Sequence, residues 1–544
     1  MKDLYITDIL IIGGGMAGLL AAIKARKTGA DVILVDKAYA GKSGQSPYAD
    51  SLCPFKPEWG HDLNEWLKAV SITGEYINNP EWTEMVFKGS FKIYEQFVKW
   101  GVDFYKNDDG SLYTKKGEQG GSTIFFSKNQ APERARKEAI QLGVKIFDRI
   151  MITQLIKNND KVIGAAGISA ETADLHIFNS KATVMCAGAA GFKPNGWPIH
   201  ELTGDADALA YRVGAKVLGK EFIDTHSGSK EHPAFLNFAE DMQPGAKPMT
   251  GVKFKRVFNA EGNPLEFTGT ALWLSKEFEI HAGRGPVSAE MPDGSIVAFA
   301  GGTSLGMASH KTEGIVSKDL SCATTVDGLF AAGDALGNMA AGAKYPFMGF
   351  AITHACVTGC LAGVNAAKYA LKAENAEISQ KVIKEICEET FHPLRRKGGF
   401  SPRWVLQIIQ NTLSPYFILY IKHGERLKAA LTYIEFVKNN LVPKLKADDA
   451  HDLRLAHEVA NIVLNAEIKL RSSLARKESR GCHYREDYPR RDDKNFLAWI
   501  QLENVAGKMT VSIEPIPEKF LPDKSIPYEQ KYPLRIPGEI ITEK

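Results

Sequence analysis

Ile6-Thr7-Asp8-Ile9-Leu10-Ile11-Ile12-Gly13-Gly14-Gly15-Met16-Ala17-Gly18 is the stretch whose reading decides the fold. Its first half ends in a continuous apolar run, the pattern of a strand buried on both faces. The glycines follow at once and fit G-x-G-x-x-G. Leu19 to Lys27 then reads as a helix broken by Gly29, and Asp31 to Val35 as a second strand ending on Asp36. Each part has a physical role. Gly13 permits a tight turn, Gly15 lets a pyrophosphate approach the backbone, and Gly18 lets helix and strand pack closely. The helix N-terminus offers unpaired N–H groups and a partial positive charge to phosphates. Asp36 is placed to accept hydrogen bonds from a ribose. A bare glycine motif is a weak signal, but strand, glycines, helix, strand and terminal acid in this order predict a dinucleotide site.

The chain has 544 residues, enough for two to four domains with a large core. Its 44% apolar and 24% charged content is that of a soluble globular protein. A net charge of +3, without a basic stripe interleaved with aromatics, gives no reason to expect nucleic acid. The first strand begins within ten residues, leaving no room for a leader peptide, and no uncharged apolar run reaches the length of a membrane span. A cytoplasmic protein is expected. Seven scattered cysteines without C-x-x-C read as reduced, mostly buried thiols, so no iron–sulfur cluster is expected on this chain. No metal site is expected either.

Ala38–Asp50 is rich in Gly and Ser and reads as a loop leaving the second strand, placed to run along the cofactor. Residues 61–106 read as helices whose aromatic faces (Trp66, Phe87, Phe97) belong to the core. A helix is expected over Ala131–Leu142 and a strand over Val144–Phe147. Met151–Ile156 and Val162–Ile168 flank Asn158-Asn159-Asp160 as a hairpin. Ala182–Ala189 is another buried strand, and Thr203-Gly204-Asp205-Ala206 opens a helix. From about 216 to 320 the pattern loosens into short strands and turns, an inserted domain. The nucleotide-domain pattern returns at Thr325–Ala335, a strand closing on Gly333-Asp334, followed by a glycine-rich loop and a helix through Leu371. Residues 376–475 are helical, and the tail beyond 505 is Pro-rich and extended.

One glycine fingerprint paired with the late G-L-F-A-A-G-D strand points to FAD, with Asp334 reaching its ribityl or pyrophosphate part. No second fingerprint is present, so electrons enter or leave by a route other than a nicotinamide domain. Four further segments carry a resemblance: Lys220–Gly228 (K-E-F-I-D-T-H-S-G), Phe278–Gly285 (F-E-I-H-A-G-R-G), Ser309–Ile315 (S-H-K-T-E-G-I) and Glu478–Pro489 (E-S-R-G-C-H-Y-R-E-D-Y-P) followed by Arg491-Asp492-Asp493. Nearly end to end, the chain resembles the succinate dehydrogenase/fumarate reductase flavoprotein family, which includes L-aspartate oxidase and the adenylylsulfate reductase alpha subunit. The resemblance implies an α/β fold: a Rossmann-like FAD-binding domain (1–215 with 322–375), an inserted α+β capping domain (216–321), a helical domain (376–480) and a C-terminal extension (481–544). The expected cofactor-binding set is Gly13, Gly15, Met16, Ala17, Gly18, Asp36, Lys37, Lys42, Ser43, Gly44, Gln45, Ser46, Ile152, Ala187, Gly188, Asp205, Gly333, Asp334, Gly349, Phe350, Ala351 and Ile352. The last four begin a helix expected to point at the flavin's O2 end, where its dipole would stabilise the reduced ring.

The departures from the family pattern matter equally. The flavin-bonding histidine of covalent members is missing from Lys42-Ser43-Gly44-Gln45-Ser46, so non-covalent FAD is expected. The proton-shuttle arginine is missing from Thr268–Lys276, and the clamp arginine of H-G-A-N-R is missing from Ala341-Gly342-Ala343-Lys344-Tyr345. A bidentate guanidinium is not replaceable by Tyr or Lys without changing what binds. A small, anionic or enoate-like substrate other than fumarate or succinate is therefore expected. The candidate catalytic residues are His226, His310, Lys344, Tyr345 and Arg284, with His281 and Lys311 weaker; a lone histidine in a chain this size is more often structural. The arginine and histidine group Arg480/His483/Arg485 reads equally as a partner-facing surface and as an internal cap. An iron–sulfur or ferredoxin-like electron-transfer partner is the simplest electron route. Competing readings are an adenylylsulfate-reductase-like or oxidase activity, and a non-catalytic electron-transfer flavoprotein.

Overall fold

A computed structural model of the chain describes residues 2–117, 120–193, 202–227, 255–265, 279, 287–290, 292–300, 305–309, 312–533, 535–536 and 538–541. Strand β1 (Lys2–Ile12) runs into helix α1 (Met16–Lys27) through the three glycines, and β2 (Val32–Val35) returns parallel to β1, Ile9 facing Val32 and Ile12 facing Val35. The sheet grows outward from this unit. Strand β3 (Lys145–Phe147) adds parallel to β2, while β4 (Ile150–Asn158), β5 (Lys161–Ser169) and β6 (Leu175–Met185) form an antiparallel meander whose last strand lies parallel to β1. The order is β3-β2-β1-β6-β5-β4. The expected hairpin turn is present, with Asn159 at φ +52°, a conformation asparagine tolerates.

Helix α2 (Asp205–Arg212) follows, and short strand β7 (Val217–Leu218) leads to β8 (Ile223–Ser227). The strand at residues 305–309 pairs antiparallel with β8, and the chain re-enters through β9 (Gly314–Val316). Strand β10 (Leu329–Ala331) then pairs parallel with β6, which brings Gly333 and Asp334 beside the glycine turn. The sequence separates these elements by more than three hundred residues; the sheet makes them neighbours.

Helix α3 (Phe350–Ala370) lies on α1 through a seam of small residues. A Cβ on Gly359 would come within 2.4 Å of Ala17 O, and one on Gly363 within 2.2 Å of Ala21 O. Only glycine permits that approach. This corrects the expectation that no apolar run is long enough to span a membrane: α3 passes by length and composition, with 67% of its most apolar window buried inside the protein. It is the core helix of the nucleotide-binding half.

The helical part packs residues 402–413 and 424–436 against α4 (Ala450–Ala475), closing on Ile409, Leu427, Ile434, Val459, Ile462 and Leu470. The tail is not merely extended. Residues 498–505 and 508–515 form an antiparallel hairpin, and the first strand pairs with β7, so the C-terminus shares a five-stranded sheet with β7 and β9.

Candidate functional site

The glycine turn opens a cleft between the ends of β1, β2, β4 and β6, the start of α1 and the Gly333-Asp334 turn. Gly13 sits at φ +105°, and a Cβ there would lie 2.3 Å from Cys186 O at the end of β6. Gly15 is the N-cap of α1 and has no side chain to cap it; the Met16 N–H donates to Ser46 Oγ at 2.9 Å. A side chain on Gly15 would meet that same hydroxyl at 3.1 Å. Apart from that bond no side chain caps the helix, so the other N–H groups of its first turn face an incoming anion. Asp36 is aimed before any ligand arrives: its Oδ2 accepts the Gly14 N–H at 2.7 Å, and its Oδ1 accepts the Ala38 N–H at 2.8 Å. A carboxylate fixed in this way presents its remaining lone pairs to a ribose.

Of the expected binding set, the cleft is lined by Gly13, Gly15, Met16, Ala17, Asp36, Lys37, Ser43, Gly44, Gln45, Ser46, Ile152, Ala187, Gly188, Asp205, Gly333 and Asp334. Gly18, Lys42, Gly349, Phe350, Ala351 and Ile352 do not line it. Gly18 serves packing, since a Cβ there would lie 1.9 Å from Gly13 O. Lys42 is exposed and pairs with Glu133 at 3.7 Å. Phe350 is fully buried against Phe87, Phe347 and Tyr345. The lining residues missed from sequence, Ile12, Gly14, Val35, Ala38, Ile150, Met151, Cys186, Leu202, Leu209 and Ala355, include several that directly flank recognised positions. For Ile12, Val35, Ile150, Met151 and Cys186 the signal was the strand ends themselves, whereas Leu209 and Ala355 lie on helices α2 and α3.

One wall of the cleft rests on a buried ion cluster. Lys37 Nζ donates to Thr203 Oγ1 at 2.6 Å, Asp205 Oδ2 at 2.8 Å and Glu458 Oε1 at 3.0 Å. Glu458, on α4, is fully buried and also meets Arg454 at 2.7 Å and Lys193 at 3.1 Å. Burial alone would raise its carboxyl, but Lys37, Lys193 and Arg454 outweigh burial and hold it down at about 2. Burial likewise depresses the Lys37 ammonium, yet Asp205 and Glu458 carry it above the ordinary lysine value. Nothing in the sequence pairs Lys37 with a glutamate 421 positions later.

The candidate catalytic residues are placed unevenly. His310 and Arg284, like His281 and Lys311, lie outside the described residues, and His226 is described only as backbone within β8, facing Gly306. Lys344 and Tyr345 follow a turn in which the Ala343 N–H donates to Gly74 O at 2.9 Å. The Tyr345 hydroxyl accepts the Ala351 N–H at 2.6 Å, so it caps the start of α3. Burial holds that hydroxyl well above the usual tyrosine range, so it stays protonated.

The Arg480/His483/Arg485 group is internal, which removes the partner-facing reading. Arg480 donates to Glu478 at 2.7 and 2.9 Å and to Asp493 Oδ1 at 2.7 Å, while Arg485 pairs with Asp487 at 2.7 Å. His483 is fully buried, and burial together with Lys422 keeps it neutral. This motif is a buried polar brace.

The donor set fits FAD: an open helix end for pyrophosphate, a fixed acid for ribose, and a cleft running on to Gly333-Asp334. The fold and the cleft define a flavin-dependent enzyme of the dinucleotide-binding class. The family model for the FAD binding domain matches residues 8–230, and that for the fumarate reductase flavoprotein C-terminus matches 409–532. The chain is 26% identical over 523 residues to an uncharacterized FAD-dependent oxidoreductase of Methanocaldococcus jannaschii, covering 89% of this chain and 94% of that protein. It is 23% identical to one chain of the fumarate reductase (CoM/CoB) of Methanothermobacter marburgensis, covering 90% and 95%. Among solved structures, Sdh1 of Mycobacterium smegmatis superposes with a TM-score of 0.80 at 21% identity, covering 95% of each chain. Adenylylsulfate reductase of Archaeoglobus fulgidus gives 0.79 at 19%, covering 96% and 97%. The chain belongs to the succinate dehydrogenase/fumarate reductase flavoprotein family and is an FAD-dependent oxidoreductase.

Proposed function

We propose that this chain is the catalytic flavoprotein subunit of an oxidoreductase that moves a hydride between a small anionic substrate, other than succinate or fumarate, and non-covalently held FAD. The observation that carries the reading is Tyr345. At the position where the family's dicarboxylate-handling members keep an arginine, a phenol stands whose oxygen is committed to the Ala351 N–H at 2.6 Å. A guanidinium would give a carboxylate two parallel N–H bonds, whereas a phenol in this pose has a single O–H left to donate. Lys344 supplies a point charge, suited to one oxygen of a carboxylate or sulfo group.

In this reading FAD, when bound, supplies hydride transfer at its ring. The chain's own groups do the rest. Gly13–Ala17 and Asp36 hold the nucleotide, and Ser43–Ser46 run beside it. His226 and His310 polarise or protonate the substrate, Lys344 and Tyr345 contact it, and Arg284 is a further cation. The domain boundaries follow the sequence division, 1–215 with 322–375, 216–321, 376–480 and 481–544. Electrons enter or leave through an iron–sulfur or ferredoxin-like partner, because no second dinucleotide fingerprint is present in the sequence.

The test is anaerobic. Succinate added to the oxidised protein is expected to leave the flavin absorbance unchanged, and fumarate added to dithionite-reduced protein is expected to leave it bleached. A panel of small anions and enoates should contain one class that restores or bleaches it. Reoxidation by fumarate within seconds would contradict the reading.

A further inference from the structure

The inserted segment leaves and re-enters the nucleotide-binding half through two legs. One is Lys220–Phe222 leading into β8, and the other is Thr312–Glu313 leading into β9. Between them, β8 and the strand at residues 305–309 form a two-stranded ribbon, paired from Ile223↔Ser309 to Ser227↔Leu305. His226 lies in the first strand, and residue 310 follows the second. Both legs are buried, with Lys220, Glu221, Phe222, Thr312 and Glu313 each at 0–1% exposure.

A single side chain from the helical domain reaches both. Lys469, on α4 and itself 1% exposed, donates from Nζ to Lys220 O at 3.0 Å and to Phe222 O at 2.8 Å. The same Nζ stands 3.9 Å from Glu313 Oε1 on the other leg. The surrounding charges are Asp207, paired with Lys220 at 2.7 Å, and Glu221, paired with Arg476 at 2.8 Å. Lys422 holds the Glu221 carbonyl at 2.9 Å. The second leg is also strained: Thr312, a β-branched residue, is held at φ +70°. Its carbonyl accepts the N–H groups of Asn338 at 2.9 Å and Met339 at 2.8 Å. Such strain persists only where the surroundings over-determine it.

We propose that Lys469 is a positioning residue for the reaction: it pins both legs of the ribbon that carries His226 and that leads, in the sequence, to His310. The proposal rests on the reading that these histidines serve the substrate. A lysine can do this because its ammonium has three donors in free rotation: it hydrogen-bonds two carbonyls of one leg while its charge stands within ion-pair distance of the carboxyl on the other.

Hydrogen exchange on the FAD-loaded protein tests it. Lys469→Met should lower protection at residues 220–227 and 312–316 by about tenfold, with protection of β1 and α1 and the flavin content unchanged. Lys469→Arg, which keeps charge and donors, should recover protection at both legs. Glu313→Gln should loosen the 312–316 leg alone, an independent check if the methionine variant does not fold. Wild-type protection at both legs in Lys469→Met, an arginine variant no better than methionine, or a Glu313→Gln effect at both legs or at neither would overturn it. Exchange at the legs reports on the clamp whatever the histidines do, so failure of the clamp and failure of the substrate reading are separable.

Discussion

Glu458→Ala is expected to destabilise the protein by about 3–5 kcal/mol, the cost of removing one partner from a buried ion cluster. The magnitude follows from what stays behind. Lys193 Nζ, which meets Glu458 at 3.1 Å, is buried enough that burial already depresses its ammonium, and the variant takes away that acid. Lys37 keeps Asp205 and Thr203, so the cleft wall is weakened rather than abolished. The effect carries a pH signature. The Glu458 carboxyl is lower in the fold than in the unfolded chain, so its contribution is present above its ordinary value of 4.5 and is lost as pH falls toward about 2. Denaturant unfolding of wild type and variant should therefore differ fully at neutral pH, with the gap closing in acid. A gap below about 1 kcal/mol at pH 7, the range of a surface pair, would contradict the cluster's role.

Gly13→Ala is expected to weaken flavin binding by about a hundredfold, roughly 3 kcal/mol. Two costs combine. The backbone at φ +105° is one that alanine rarely adopts, and the new methyl would stand 2.3 Å from Cys186 O and 2.7 Å from Ala187 N. Relief requires β1 and β6 to part at the floor of the cleft. Gly29→Ala is the matched control, because Gly29 is also left-handed, at φ +103°, but has nothing within 4 Å of an added Cβ. It should cost about 1 kcal/mol of stability and leave flavin affinity alone. Fluorescence titration of both apoproteins measures the contrast, and equal affinities in the two variants would contradict it.

The nucleotide-binding half was legible in the sequence because its signals are local. A buried strand reads as an apolar run, a phosphate turn as glycines, and a hairpin as Asn158-Asn159-Asp160, each within a few residues. What escaped the reading is set by contacts distant in sequence. The Lys37–Glu458 pair spans 421 positions, and the pairing of β7 with the strand at residues 498–505 joins Val217 in mid-chain to Leu502 near the C-terminus. Neither has a local cause. The Arg480/His483/Arg485 motif was ambiguous for a related reason: charge in sequence reads as surface unless its partners are seen, and here Glu478, Asp493 and Asp487 supply them. Helix α3 escaped as a long apolar span because His354, Asn365 and several glycines punctuate it, while its burial depends on α1. The candidate site is divided in the same way. Its glycine turn is one short local motif, whereas Ile150–Ile152, Cys186–Gly188 and Gly333-Asp334 reach the same cleft only through the sheet.

The most direct measurement of the central claim is the fate of the flavin when the purified protein is denatured and precipitated. The expected result is yellow native protein that gives up about one FAD per chain to the supernatant and leaves a colourless pellet, because no histidine stands in Lys42–Ser46 to bond the ring. Protein that stays colourless when offered FAD would contradict the cleft as a flavin site. Colour retained in the pellet would contradict reversible binding.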